Sequence, residues 1–342
     1  MKTQEELFES ERRATRNGGS FYFLVILVLA LLVLPFLFIA KKQPAGAVLG
    51  VSADGTEQTV SPDAIRPAAT IAFPKSNERT FAPVIPVNTS QSSYEMPQGS
   101  FAVFDCDSNS LIYGENQDEI RSIASISKLF AAVVLLDEAS DLNKYYRIKQ
   151  SDIIDEGVRN VYVGQDIRII DLLGASLVGS DNSATRALVS AANLTEDEFV
   201  GKMNKRVREL GLKNTSFRDV VGLSKYNLST AAEVSRFTKI ALNYSEIKRF
   251  VAKSTYSFKP RNSDKETIVR TTNTLLATQK KSNIRSLGGK TGFTNEAGYC
   301  FTGKFQDKEK DIIVTVLGDG DKNARLNHAA EIADWVFENF AW

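Results

Sequence analysis

Ser125-Ile126-Ser127-Lys128 sets a hydroxyl and a primary amine three residues apart, just ahead of the apolar run Leu129 to Leu136. On a helix, positions i and i+3 share a face. The amine would then lie beside the hydroxyl, and a neutral amine there can take the proton that turns serine into a nucleophile. Ser245-Glu246-Ile247-Lys248 has the same spacing, and about one such match is expected by chance in a chain of this size. Other residues limit the chemistry. His328 is the sole histidine and sits beside Ala329 and Ala330 in a stretch of helical periodicity, where a surface or packing role is the simpler reading. A Ser-His-Asp triad would have to use it, and a zinc hydrolase usually needs several imidazoles. Neither a metal nor a cofactor is expected. The base of a serine hydrolase built from this chain must be a lysine held neutral by its surroundings.

Two later stretches bear on the choice between Ser125 and Ser245. Ser180-Asp181-Asn182 falls between two predicted helices, and Lys290-Thr291-Gly292 falls on a predicted strand that begins at Gly288-Gly289. Each has a plainer use alone: a helix N-cap for the first, an exposed strand lysine after a bulge or turn for the second. Taken in order with Ser125 and Lys128, they match the S-x-x-K, S-D-N and K-T-G set of serine penicillin-recognising enzymes. Ser245 follows Ser180 in the chain, so the order of the set selects Ser125.

The elements that must position these groups can be read from pattern. Phe101 to Asp105 and Ser110 to Tyr113, around a turn at Asp107-Ser108-Asn109, predict a β-hairpin. Helical spacing follows over Ser125–Glu138, Ile167–Val178, Ser183–Ala192, Glu196–Leu210, Ala231–Leu242 and Ser245–Ala252. Strand patterns return at Leu287–Thr294, Gly298–Phe305 and Asp311–Leu317, and a last helix is predicted over Asn323–Phe340. The expected fold is α/β of the α+β kind. One antiparallel sheet is built from both ends of the domain, with helices on its faces and a helical subdomain inserted at about 125–265.

Composition gives the setting. With 42 basic against 41 acidic residues there is no surplus charge to attract nucleic acid. Phe21 to Ala40 is twenty residues without a charge, long enough as a helix to cross a bilayer core of roughly 30 Å. Lys2, Arg12, Arg13 and Arg16 precede it, and only Lys41 and Lys42 follow closely, which predicts an inside N-terminus and an outside remainder. Ala45-Gly46-Ala47 resembles a cleavage site, but the apolar stretch is too long for a signal peptide and two lysines intervene, so an uncleaved anchor is preferred. The expected divisions are 1–20 in the cytoplasm, 21–40 in the membrane, 41–97 as a stalk holding seven of the nine prolines, and 98–342 as the catalytic domain. Cys106 and Cys300 would face an oxidising space, yet both lie in strand-like apolar runs that suit free buried thiols better than a disulfide.

The residues Asp105 to Tyr113, Asp171-Leu172-Leu173, Met203 to Arg206, Glu209 to Leu212 and Lys290 to Tyr299 extend the likeness beyond the three motifs. Over about Phe101 to Phe340 the chain resembles the low-molecular-mass D-alanyl-D-alanine carboxypeptidases among the penicillin-binding proteins. The resemblance implies an antiparallel sheet flanked by helices, a peptidoglycan stem peptide ending in D-Ala-D-Ala as substrate, and acylation by β-lactams. It also implies roles: Ser125 as nucleophile, Lys128 as its base, Ser180 relaying protons with Lys290, and Asn182 orienting Lys128 or the substrate amide. Lys290 and Thr291 would meet the terminal carboxylate. Gly292 would allow close approach along the strand, and the backbone N–H groups of Ser125 and Phe293 would form the oxyanion hole. Lys290, as a nearby cation, is expected to keep Lys128 neutral.

Some features depart from that family. Ser183 follows Asn182 where an aspartate is common, and Ser180-Asp181-Asn182 is closer to class A β-lactamases. Those enzymes deacylate with a loop glutamate, and Phe217 to Leu223 contains none. Lys308 and Lys310 are the nearby candidates for a carboxylate-binding cation. The C-terminal β-domain and membrane-binding helix of many relatives have no counterpart before Trp342, and the N-terminal anchor is expected to replace the latter. A class A-like β-lactamase and a catalytically silent wall-binding module are the alternatives. Oligomeric state is open.

Overall fold

A computed structural model describes residues 84–138, 141–278 and 284–342, all within the unit Asn77–Trp342. The expected anchor Phe21–Ala40 and the expected stalk as far as Pro83 lie outside the described residues. Among the described residues no helix is long and apolar enough to cross a membrane.

β1 (Val87–Asn88) is followed by the hairpin β2 (Ser100–Asp105) and β3 (Ser110–Glu115). Asn109 turns that hairpin with a φ of 57°, a left-handed conformation that asparagine tolerates. β4 (Arg121–Ser122) leads into a 3-10 turn at Ala124–Ile126 and then α1 (Ser127–Glu138). The helical subdomain follows: the pair β5 (Tyr145–Arg147) and β6 (Asp166–Arg168), α2 (Ile169–Val178), α3 (Asn182–Ala191) and α4 (Glu196–Glu209). After β7 (Leu228–Ser229) come α5 (Ala231–Ala241), α6 (Ser245–Val251), the hairpin β8 (Thr255–Phe258) and β9 (Thr267–Arg270), and the short α7 (Leu275–Thr278). The chain then makes β10 (Arg285–Thr294), β11 (Gly298–Asp307), β12 (Lys310–Asp319), α8 (Ala324–Asn339) and β13 (Phe340–Ala341).

The five-stranded sheet has the order β10-β11-β12-β2-β3 and every neighbouring pair is antiparallel. Strands from both ends of the domain thus meet in one sheet, as the pattern predicts. One face packs on α8 through Leu326, Ala329, Ile332, Ala333 and Val336. Under α5 the other face carries a buried hydroxyl chain, in which Ser235 Oγ donates to Thr315 Oγ1 at 2.8 Å and Thr315, Thr302 and Thr238 continue it. Between subdomain and sheet, α1 is buried almost all round. Its Phe130 ring stacks on Phe237 at 3.6 Å and tilts against Phe217 at 4.8 Å.

Two features differ from the expected boundaries. β1 pairs with β13, Val87 opposite Ala341, and Tyr94 packs edge-on against Phe101. Packing on the domain therefore begins upstream of the expected limit at 97. Two-residue ladders such as this carry too little alternation to register as strands. Ser125 lies in the 3-10 turn before α1 rather than in the helix itself, because Ala124 takes a φ of 46° and breaks helical geometry there.

Candidate active site

The 3-10 turn and the first turn of α1 bring Ser125 and Lys128 together at a cleft of about 770 Å³ between the edge strand β10 and the helical subdomain. Ser125 is half-buried and opens to the cleft, whereas Lys128 is fully buried. Lys128 Nζ lies 2.9 Å from Ser125 Oγ, 2.7 Å from Asn182 Oδ1 and 2.5 Å from the Val221 carbonyl oxygen. A neutral amine has two N–H bonds and one lone pair. With the N–H bonds given to Asn182 and Val221, the lone pair faces the Ser125 hydroxyl.

The amine has a physical reason to be neutral. Burial lowers the Lys128 pKa from 10.5 to about 7, against the opposing pull of Asp219 and Asp181. Lys290 is not the cause, contrary to the expectation from sequence. The reverse dependence holds: Lys290 is lowered well below its ordinary value first by burial, then by the charges of Lys128 and Arg325.

The S-D-N stretch supplies the facing wall. Ser180, at φ 59°, aims its hydroxyl at Lys290 Nζ, which donates to it at 2.7 Å and to the Thr291 carbonyl at 2.8 Å. Asp181 has the N-cap use weighed above: its Oδ1 accepts from Ala184 N at 2.8 Å, and Oδ2 accepts from the backbone N–H of Asn160. Asn182, first in α3, donates to the Glu156 carbonyl at 2.8 Å and is thereby fixed with Oδ1 toward Lys128. Ala124 and Ser180, one on each wall, hold left-handed φ values that cost a non-glycine residue on the order of 1 kcal/mol each.

β10 closes the site from the sheet side. Thr291 Oγ1 pairs with Thr272 Oγ1 at 2.5 Å. Gly292 packs so closely on the nucleophile's turn that a Cβ there would stand 2.8 Å from the Ile123 oxygen and 3.2 Å from Ser125 N. Phe293 is exposed at the cleft and stacks on Tyr299 at 4.2 Å. The register shifts between Ser286 and Gly288, so the bulge reading of this glycine pair is also correct.

All eight expected site residues therefore converge on one cleft. Lys308 and Lys310 do not join them. They sit at the β11–β12 turn, where Lys310 pairs with Asp107 at 3.3 Å. Eight residue steps along β11 separate Asp307 from Tyr299, about 26 Å at the usual rise of a strand.

Besides Lys290, the cleft is lined by Lys322 and by Arg325, which sequence reading missed. Arg325 is 4% exposed; Nη1 donates to the Gly292 carbonyl at 2.5 Å and to the Cys300 carbonyl at 3.3 Å, while Nε has no partner. A buried guanidinium with a spare donor is suited to a carboxylate ligand. The available clue was its place on the α8 stripe with Ala329, Ile332 and Val336, where a charge is out of keeping. His328 instead contacts Asp319 through Nδ1 at 2.7 Å and takes no part in the cleft. Both cysteines are free thiols.

Comparison with known proteins accords with this geometry. The family model for D-alanyl-D-alanine carboxypeptidases, Peptidase_S11, matches residues 87–321. A D-alanyl-D-alanine endopeptidase of Pseudomonas aeruginosa is 31% identical over 244 residues, covering 71% of this chain and 78% of that protein. A D-alanyl-D-alanine carboxypeptidase of Bacillus subtilis is 29% identical over 252 residues, 70% of this chain and 62% of that one. Among solved structures, a D-alanyl-D-alanine carboxypeptidase from Mycobacterium tuberculosis superposes with a TM-score of 0.65 at 26% identity, over 72% of this chain and 95% of that chain. The Streptomyces K15 DD-transpeptidase has the same fold, with a TM-score of 0.66 at 24% identity over 72% and 99% of the two chains. Motif order, a buried lysine against a serine, and a match over most of the described domain together establish that the chain belongs to the D-alanyl-D-alanine carboxypeptidase family of serine peptidases.

Proposed function

We propose that this protein is a serine-type D-alanyl-D-alanine carboxypeptidase that trims the terminal D-alanine from peptidoglycan stem peptides. One observation carries the reading: a fully buried, neutral-leaning Lys128 whose only free direction is toward the Ser125 hydroxyl. Substrate would lie along the β10 edge with its carboxylate toward Lys290, Thr291 and Arg325, where its negative charge would favour the charged form of Lys290. Ser125 Oγ attacks the carbonyl carbon as its proton passes to Lys128. Negative charge collects on the former carbonyl oxygen, beside the backbone N–H groups of Ser125 and Phe293. The C–N bond then breaks as the leaving amine takes the proton that Lys128 had accepted, relayed through the Ser180 hydroxyl held by Lys290, and D-alanine departs with Lys128 neutral again. Water attacks the ester to release the shortened peptide and regenerate Ser125.

A labelled penicillin incubated with the full chain should modify one peptide, the one containing Ser125, and a synthetic pentapeptide should release D-alanine. Retained labelling in Ser125→Ala would remove the assignment. A second reading, endopeptidase or transpeptidase action on the same acyl-enzyme, draws on relatives named for those reactions; cross-linked dimers and amine acceptors as substrates distinguish them. Rapid drug turnover would favour the β-lactamase alternative, but the one acid of the Phe217–Leu223 loop, Asp219, is turned onto backbone N–H groups rather than offered to water.

The anchored topology belongs to the same proposal. Residues 21–40 would hold the chain in the cytoplasmic membrane with residues 1–20 inside and the stalk carrying the catalytic domain toward the wall. Protease added to intact spheroplasts should cut the domain free. Full protection of the domain would reverse the topology.

A further inference from the structure

The Phe217–Leu223 loop follows α4 and lies directly over the nucleophile. Asp219 gathers its backbone: Oδ1 accepts from Val221 N at 2.8 Å and Gly222 N at 2.5 Å, and Oδ2 accepts from Ser224 N. Asn227 ties the same loop to α1. Its Oδ1 accepts from Arg218 N at 2.7 Å and Asp219 N at 3.2 Å, and its Nδ2 donates to Ser127 Oγ at 2.9 Å and to the Asp219 carbonyl at 3.0 Å.

Two contacts with the reacting groups result. The Val221 carbonyl reaches Lys128 Nζ at 2.5 Å and stands 3.4 Å from Ser125 Oγ. Gly222, at φ 87°, lies against the nucleophile's backbone so closely that a Cβ would be 2.0 Å from the Ala124 oxygen and 2.8 Å from Ser125 N. An amine with one fixed acceptor can still swing about its stem. A second fixed acceptor determines where the lone pair points. Asn182 provides the first, and the second exists only while the loop keeps its turn.

We propose that Asp219 is a positioning residue for the general base: by holding three backbone N–H groups it fixes the Val221 carbonyl against Lys128 and so directs the amine's lone pair at Ser125. The proposal rests on Ser125 and Lys128 being the nucleophile and base. Asp219 also acts by charge. The groups that face Lys128 are Asp219 from this loop, Asp181 from the start of α3 and Lys290 from β10; the two carboxylates favour the charged amine, and Asp181 is itself held by Ala184 and Asn160. The loop carboxylate thus orients the base at the expense of some neutral amine.

The test measures acylation by a fluorescent penicillin from about pH 5 to 9, with rates expressed per acylable molecule so that folding losses drop out. Full-length wild type, Ser125→Ala, Asp219→Asn and Asp219→Glu are compared. In Asp219→Asn one acceptor oxygen and the charge are lost. Its acylation should slow by about 10- to 100-fold, and the acid limb of its profile should move to lower pH because a group that favoured charged Lys128 is gone. Asp219→Glu keeps the charge and displaces the oxygens, so its rate should fall while the limb stays where it is in wild type. Wild-type rates with an unshifted limb in Asp219→Asn overturn the proposal. So does a drop only in the number of acylable molecules, which is the mark of a purely structural loop. If Asp219→Asn does not fold, a wild-type rate per acylable molecule in Asp219→Glu overturns it equally. Absence of labelling in wild type sinks the assignment of Ser125 instead, and the positioning role with it.

Discussion

Burial of Lys128 makes a quantitative statement about pH. The amine is displaced from 10.5 to about 7, and 10.5 − 7 = 3.5 decades, so the ratio of neutral to charged amine is about 3000-fold higher than for a solvated lysine. At pH 7 about half of the molecules hold the free base, and at pH 5 only about 1% do. The second-order acylation rate by a β-lactam without ionisations in this range should therefore climb about 50-fold from pH 5 to pH 7 and level off above it. The direction follows from the base being competent only when deprotonated. Stopped-flow fluorescence with a reporter penicillin gives the profile directly. Replacing Lys128 by arginine, which stays protonated, should cost about 10²- to 10⁴-fold in that rate and remove the limb. A wild-type rate constant within twofold between these pH values, or one still rising about tenfold per unit at pH 9, would refute the idea that burial sets the base.

Other perturbations have equally definite outcomes. Arg325→Gln should lower kcat/KM for carboxylate-bearing peptides by about 10- to 100-fold, chiefly through KM, and should affect a C-terminally amidated analogue far less. Gly292→Ala puts a methyl 2.8 Å from the Ile123 oxygen; a shift of the nucleophile's turn near 1 Å should cut penicillin acylation by about 100-fold, with the melting temperature as the control. Phe130→Ala empties a site between Phe217 and Phe237 and should cost about 3–5 kcal/mol in a urea titration.

Much of this site is legible in the sequence, for a physical reason. The S-x-x-K and S-D-N groups lie at the starts of helices and K-T-G lies within a strand, and periodicity locates those elements even where it cannot say how they pack. Ser125 and Lys128 are neighbours by helical geometry alone. Lys290, 290 − 128 = 162 positions later, is brought to them by the pairing of β10 into the sheet. What stayed hidden was backbone chemistry and tertiary choice. Val221 contributes a carbonyl, which any residue has, and Gly222 matters through a clash that only the folded loop reveals. Arg325 was overlooked because proximity in sequence suggested Lys308 and Lys310, whereas a strand as long as β11 carries its two ends far apart. The source of Lys128's low pKa was misassigned for a related reason: residue types reveal neighbouring charges more readily than burial, and burial is the larger effect here.

The sheet order has a consequence in time as well as in space. β2 lies at the interior of the sheet and is buried along its whole length, yet its partner β12 arrives last: Val103 pairs with Val314, 314 − 103 = 211 residues downstream. A chain synthesised from its N-terminus would expose the β2–β3 hairpin with an open, apolar edge until β12 emerged. That interval is when the protein is most exposed to aggregation and most in need of a holding partner. Because β10 joins the sheet beside β11, 290 − 125 = 165 residues after the nucleophile, a chain synthesised only as far as β9 carries a serine without Lys290.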